Sequence, residues 1–301
     1  MSESREKVQQ MAEKLVARGK LSQAIKEYRK LLRYNPNDAS TLNRVGDLYA
    51  RQDNVDEAVK LFAQIAEGYS KDGFFVKSIA IYKKIVRLDP SQIETYGKLA
   101  ELYHRQGLAN EARAQYQVVA DYYLQHGDRS AAIEVHRQMA EVEPKNPSLR
   151  VKLAELYIEE GLVEEAIGEY ERIAEVMLEH GHVDEATKVY LRALDVDCND
   201  LTFISEAVIR LREGGHTGAA ARVFKAAVDR NPEAAKLEER MRSHVASMEA
   251  AGSPAPTVED EAAVDVVEAL APDVAEPVSA DELAQIAASA EVSSAESTPE
   301  V

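Results

Sequence analysis

"KLAELY" stands at residues 98–103 and again at residues 152–157, with a looser copy, "RVGDLY", at residues 44–49. The three copies lie 54 residues apart. A phrase rewritten at a fixed interval marks one packing problem solved several times by the same chain. The surrounding residues show what that problem is. Turn marks at Gly19, Asp53, Gly73, Gly107, Gly127, Gly161, Gly181 and Gly215 are spaced 34, 20, 34, 20, 34, 20 and 34 residues apart. Glycine takes the left-handed conformation that closes a helix, and aspartate tolerates it. Five residues beyond each mark stands a small residue: Ala24, Ala58, Ser78, Ala112, Ala132, Ala166, Ala186 or Ala220. A small side chain there lets two helix backbones approach closely. Pro36, Pro90 and Pro144, again 54 apart, and Pro232 end helices by lacking the amide donor, while Cys198 takes the place where the period expects another proline.

Between the marks the apolar residues recur at helical spacing. Ala58, Phe62, Ile65, Ala66 and Tyr69 form one stripe, repeated as Ala112, Tyr116, Val119, Ala120, Tyr123 and as Ala166, Tyr170, Ile173, Ala174, Met177. Such stripes are amphipathic helices that must pack on neighbours. No two-residue alternation and no hairpin signal between β-branched runs is present, so an all-α chain is expected. Thirteen breaks imply about fourteen helices, the last over residues 233–250 as a polar cap.

The residues at these offsets resemble the tetratricopeptide repeat family, whose 34-residue unit is a helix–turn–helix with small, aromatic and proline positions. Residues 5–38 fit through Leu15, Gly19, Ala24, Tyr28, Leu31 and Pro36, and residues 201–234 through Leu211, Gly215, Ala220, Phe224, Ala227 and Pro232. The central modules add about 20 residues each, one further helix, so the long middle helix serves two units. The resemblance implies a right-handed α-solenoid in which contacts run between neighbours. The expected division is an N-terminal unit over 1–36, three 54-residue three-helix modules over 37–198, a C-terminal unit with its cap over 199–250, and a tail over 251–301.

Charge separates that tail from the rest. The chain has 301 residues and a formal charge of −17; residues 251–301 hold twelve Asp or Glu and no Lys or Arg, leaving −5 for the first 250. Rich in Ala, Val, Glu, Ser and Pro, the tail is expected to be disordered. Two pieces, "VEDEAAVDVVEAL" at 258–270 and "SADELAQIA" at 279–287, have the makings of helices that form on binding, and Ser279 with Glu282 makes a capping box in the second. No basic footprint for nucleic acid is visible. The single cysteine fits a reducing compartment. The polar opening lacks a secretory signal, and no stretch nears the roughly 20 apolar residues of a membrane span. A soluble, cytoplasmic protein without membrane insertion is expected.

Three patterns invite a chemical reading, and each has a plainer one. "EHGH" brings His180 and His182 near Glu179 and Asp184, but it straddles a helix-breaking glycine, and His126 at the equivalent place points to a residue favoured at a helix C-terminus. "DVDCNDLTFISE" places Asp195, Asp197, Asn199 and Glu206 at calcium-loop spacing, yet Asp200 stands where glycine is required, and Asn199 or Asp200 reads better as a helix N-cap. Cys198 has no neighbouring histidine, and no nucleophile elbow or phosphate loop occurs. No catalytic residue, metal or cofactor is expected.

By the resemblance, the residues facing the concave groove are Asn43, Asp47 and Arg51, then Glu101, His104 and Arg105, then Glu155, Ile158 and Glu159. An acid recurs at the middle position as Glu13, Asp47, Glu101 and Glu155. Local pairing four residues on would neutralise Asp47 with Arg51 and Glu101 with Arg105, but it fails at Glu13 and Glu155. The family's clamp for C-terminal carboxylates is absent, since Gln9 and Glu13 stand where Lys and Asn are wanted. The expected function is a protein–protein scaffold or adaptor holding a basic or amphipathic partner segment. A client-holding chaperone or an assembly factor for a secretion, pilus or motility machine is the alternative, and a hidden enzyme or nucleic-acid regulator a remote third. Like charges disfavour folding of the tail into the acidic groove, leaving it a solubility or second docking role.

Overall fold

The computed structural model describes residues 2–237. These form α1 (Ser2–Ala17), α2 (Leu21–Leu32), α3 (Ala39–Ala50), α4 (Val55–Lys71), α5 (Phe75–Leu88), α6 (Ile93–Arg105), α7 (Ala109–Gln125), α8 (Arg129–Val142), α9 (Pro147–Glu159), α10 (Val163–Glu179), α11 (Val183–Val196), α12 (Leu201–Glu213) and α13 (Thr217–Arg230). No strand occurs among the described residues. The chain divides into two compact units, Met1–Val142 with α1–α8 and Glu143–Val301, of which α9–α13 and the following turn are described.

All eight turn marks take positive φ, from 59° at Asp53 to 79° at Gly181. At Gly161 the amide donates to the Ile158 carbonyl at 3.0 Å, and the next amide, Leu162, reaches back to Tyr157 at 2.8 Å. This is a Schellman closure, which satisfies carbonyls that a helix end leaves free. The same pair of bonds recurs at the other seven marks. One residue then both completes one helix and caps the next, so adjacent helices fold tightly back on each other. The small residues five places on are all fully buried. Ser78, the polar member of the set, donates its Oγ to the Ala66 carbonyl at 2.7 Å and so costs the core nothing unsatisfied.

Four of the five proline-type junctions share a device that the proline spacing conceals. Asn35, Asp89, Asp197 and Asn231 each accept, through a side-chain oxygen, the amide two residues on, at 3.3, 3.0, 2.7 and 3.1 Å. These are Asx turns. Asp197 keeps the extended backbone of its counterparts (φ −146°, against −143° at Asp89 and −137° at Asn231) although Cys198 rather than proline follows it.

Within the first unit, α1–α2, α3–α4–α5 and α6–α7–α8 pack as sequence neighbours, joined through α2–α3 and α5–α6. The second unit builds one core from α9–α10–α11 and α12–α13, with α11 resting on α13. The expected fourteenth helix differs in its opening: Pro232–Lys236 is a 3-10 turn, tightened by the Ala234 amide reaching back to the Asn231 carbonyl at 2.9 Å. That turn carries Ala234 and Leu237 into the core, so it is not polar throughout. The remainder of the expected cap and the acidic tail lie outside the described residues.

Candidate functional site

The acid recurring along the first helices becomes a surface feature. The core positions of α1, α3 and α6 include Ala12 and Leu15, Val45 and Leu48, and Leu99 and Leu102, all buried. The 3.6-residue period then leaves Glu13, Asp47 and Glu101 on the opposite side of each helix. Their side chains are 46, 47 and 49% exposed, so three equivalent positions in the first unit present carboxylates to the same degree. Glu155 on α9, in the second unit, is 26% exposed.

The charge partners differ from the local pairing expected. Asp47 accepts not from Arg51 but from Lys84 on α5, Nζ to Oδ1 at 2.5 Å, and Asn43 adds its amide at 3.4 Å. Lys84 also donates to Asn43 Oδ1 at 2.8 Å and lies 4.0 Å over the Phe62 ring. Asn43, Asp47 and Lys84 thus form one polar knot between two helices, while Arg51 is exposed. Glu101 lies 3.6 Å from Lys98, one turn back, rather than pairing with Arg105, whose guanidinium sits 5.9 Å from the Phe75 ring. Glu13 is 4.0 Å from Arg44 of the next repeat, and Glu155 pairs with Lys152 at 3.2 Å. Sequence reasoning confined to charged residues four apart missed every one of these ion pairs. His104 and Glu159 are exposed. Ile158 packs against the core of the second unit, so its apolar side chain is spent on folding.

The field of the acid line reaches the tyrosines beneath it. Burial pushes the Tyr82 hydroxyl up to about 12, and the negative charges of Glu67 and Glu101 add to the rise. Tyr116 is raised by burial first, then by Glu101 and Glu141. Tyr28 is raised by burial, with Arg44 opposing and Glu13 assisting.

The candidate chemical sites resolve into structural roles. His126 and His180 are C-cap residues of α7 and α10, and each directs Nδ1 to the carbonyl four residues back at 2.7 Å. Asp200 caps α12, accepting from the amides of Thr202 and Phe203 at 3.0 Å each. Asp195 pairs with Arg230 at 2.7 Å. Cys198 offers its carbonyl to the Asn231 side chain at 3.1 Å. Among the described residues no three His, Cys, Asp or Glu side chains converge, and no helix is long and apolar enough to cross a membrane.

Comparison with known proteins gives the same repeat. Residues 12–53 and 123–176 match sequence models of the tetratricopeptide repeat, and residues 40–67 match that of the PPR repeat. The chain is 28% identical over 139 residues to cellulose synthase operon protein C of Pseudomonas fluorescens, a match covering 46% of this chain and 8% of that protein. It is 28% identical over 134 residues to a probable vesicular-fusion protein sec17 homolog of Neurospora crassa, covering 42% of this chain and 46% of the relative. The chain therefore spans less than half the length of either curated relative. The crystal structure of YrrB, described as a TPR protein with an unusual peptide-binding site, aligns over 73% of this chain and 97% of its own at 13% identity and a TM-score of 0.24. The fold assignment rests on the helices and turns themselves.

Proposed function

We propose, from the premise that the chain belongs to the tetratricopeptide repeat superfamily, that it is a scaffold whose first-helix face holds a basic or amphipathic segment of a partner protein. Repeats of this family are protein-interaction scaffolds in general; the partner chemistry is the inference. The observation that carries it is the equal exposure of Glu13, Asp47 and Glu101 at equivalent positions of successive repeats. A carboxylate needed only for a local ion pair has no reason to recur at one register with different partners each time. Asn43, Arg51, His104 and Arg105 lie on the same helices and would supply polar contacts; Glu155 and Glu159 hold the corresponding positions of α9 in the second unit, taken by itself.

Phosphate is a poor alternative ligand. The α3–α4 hairpin matched by the PPR model, residues 40–67, holds three Lys or Arg against five Asp or Glu, whereas nucleic-acid affinity comes chiefly from cations on phosphate.

A photo-crosslinking residue at position 101 tests the proposal in cells. It should capture one stoichiometric protein, and capture should fall at least tenfold in the E13K/D47K variant and at 0.5 M salt. Capture that ignores both charge reversal and salt would overturn it. Many unrelated captured chains would favour the client-holding alternative.

A further inference from the structure

Of the thirteen described α-helices, α5 alone holds no Asp or Glu. It carries four cations: Lys77, Lys83, Lys84 and Arg87. Lys84 is held in the knot with Asp47 and Asn43. The other three are exposed, and none has a carboxylate within ion-pair distance among the described residues. The repeat supplies a comparison inside the same unit. On α8 the counterpart of Lys83 is Arg137, which Glu134 holds at 2.7 Å, and the counterpart of Arg87 is Glu141, of opposite charge.

The exposed positions of α5 form a line. Val76, Ala80, Lys83 and Arg87 follow one another at spacings of four, three and four residues, so they share one stripe of the helix, about 16 Å long, with Lys77 beside it. The start of the stripe is apolar. Phe74 and Val76 are 51 and 71% exposed, while Phe75 between them packs on the core of the first unit. Phe74 and Val76 are thus apolar groups that folding leaves in water. Lys77 lies 4.7 Å from the centroid of the Phe74 ring and 5.6 Å from that of Tyr69, which packs edge-on against Phe74.

We propose that this stripe of α5 docks an acidic segment of a partner protein, one that carries apolar residues among its carboxylates. Charge complementarity fixes the occupant: three uncompensated cations call for an anion, and Phe74 with Val76 calls for an apolar group at one end of it. The length suits about five extended residues or about eleven helical ones. Residues 1–142 hold 22 Lys or Arg against 19 Asp or Glu, so the first unit, unlike the chain with its −17, does not repel such a segment. A nucleic acid or an anionic bilayer would answer to the same cations, but each is a large polyanion that would also meet the exposed carboxylates of the chain. A short segment meets the stripe alone. The acid line lies on α1, α3 and α6, so this site does not depend on the function proposed above.

Fluorescence anisotropy with the full-length protein at low salt tests the assignment. The probe is a fluorescein-labelled peptide of four Glu-Glu-Leu repeats. Its affinity should fall at least tenfold in K83E/R87E and at 0.5 M salt, and several-fold in V76S and F74S. It should stay unchanged in K60E, which alters a cation on α4 that is 70% exposed. Circular dichroism checks that each variant folds. A peptide of four Glu-Glu-Ser repeats should bind several-fold more weakly. The Lys-Lys-Leu counterpart reports on the acid line through E13K/D47K, so a failure of that reading is seen separately. Affinity for the acidic probe that ignores K83E/R87E, or that falls as far in K60E, would overturn the site. Equal binding of the Glu-Glu-Ser peptide would do the same, as would tighter stripe-dependent binding of oligouridylate or of phosphatidylserine vesicles.

Discussion

Phe62 on α4 stands so close over Gly46 on α3 that a Cβ at Gly46 would lie 2.5 Å from its Cε1. The ring is fully buried, with the Lys84 ammonium 4.0 Å from its centroid, so it has little room to give. In the next module the equivalent pair is Ala100 and Tyr116, and in the third Ala154 and Tyr170, all buried. The first module therefore has a ring where the other two have room for a methyl group.

Gly46→Ala should destabilise the first unit despite the intrinsic helix gain of about 1 kcal/mol. Overpacking costs about 1–3 kcal/mol, so a net loss of up to about 2 kcal/mol is expected in urea unfolding. Gly97→Ala is the control. It lies on α6 with nothing within 4 Å of a built Cβ, and should stabilise by about 1 kcal/mol. A stabilised Gly46→Ala would mean that the α3–α4 approach is looser than described.

Asp53 is the one described non-glycine residue at positive φ, and its seven counterparts are glycines. Asp53→Gly should raise stability by about 0.5–1 kcal/mol, because the left-handed conformation strains any residue with a Cβ. Gly161→Ala is the reverse experiment. Nothing lies within 4 Å of a built Cβ, so its expected loss of about 1–2 kcal/mol is conformational alone. Midpoint shifts of the same sign for both variants would contradict this account.

These turns were the most legible part of the sequence, because a left-handed helix closure has few residues to choose from and a regular period multiplies the signal. The small residues after them were legible for the same reason. What the sequence hid was contact between distant positions. Asp47 pairs with Lys84, 37 residues away, and no rule about spacing on one helix could find it. Ile158, expected to face the groove, is partly buried and packs against the second unit's core, a contact the stripe does not specify because it does not say how wide the buried face is. The junctions were read from their prolines, yet Asn35, Asp89, Asp197 and Asn231 make the turn bond common to four of them, and that recurrence of Asn or Asp was visible in the sequence.

Glu169 is the charge most deeply committed to folding in the second unit. Its carboxylate, with the side chain 7% exposed, takes Arg150 at 2.7 Å and Arg172 at 2.5 Å, and Arg150 also donates Nε to the Pro144 carbonyl at 3.1 Å. Glu169→Ala strands the Arg150 guanidinium, itself only 14% exposed, and should cost about 3–5 kcal/mol. Arg172 is 56% exposed, so Arg172→Ala should cost under about 1 kcal/mol. Comparable losses from the two variants would show that the pair with Arg150 contributes little.

Alkali should unfold the protein through its buried tyrosines. Tyr82 is held up to about 12 when folded, chiefly by burial, while a tyrosine in the unfolded chain ionises near 10. Between those values the unfolded state has released a proton that the folded state keeps, so stability falls as pH rises. Tyr116, Tyr170 and Tyr190 are raised in the same direction, by burial first in each case. Ultraviolet titration should therefore show a group of tyrosines ionising only with the loss of helical circular dichroism above pH 10. Ionisation of all thirteen tyrosines near pH 10 with the helices intact would refute it.

Cys198 offers a test of what shapes the junctions. Asp197 already has the extended conformation that a following proline imposes, and its carboxylate already holds the Asn199 amide at 2.7 Å. The Cys198 carbonyl, which accepts from Asn231, survives replacement by proline. Cys198→Pro should therefore restrict the unfolded chain without disturbing the folded one, raising stability by about 0.4–1 kcal/mol. Asp197→Ala removes the turn bond and should cost about 1 kcal/mol, even in the Cys198→Pro background, if the carboxylate and not the ring sets the geometry. Urea unfolding of the two single variants and the double variant separates the contributions. Should proline abolish the cost of Asp197→Ala, the ring alone would suffice, and the Asx bond would be a consequence of the turn rather than its cause.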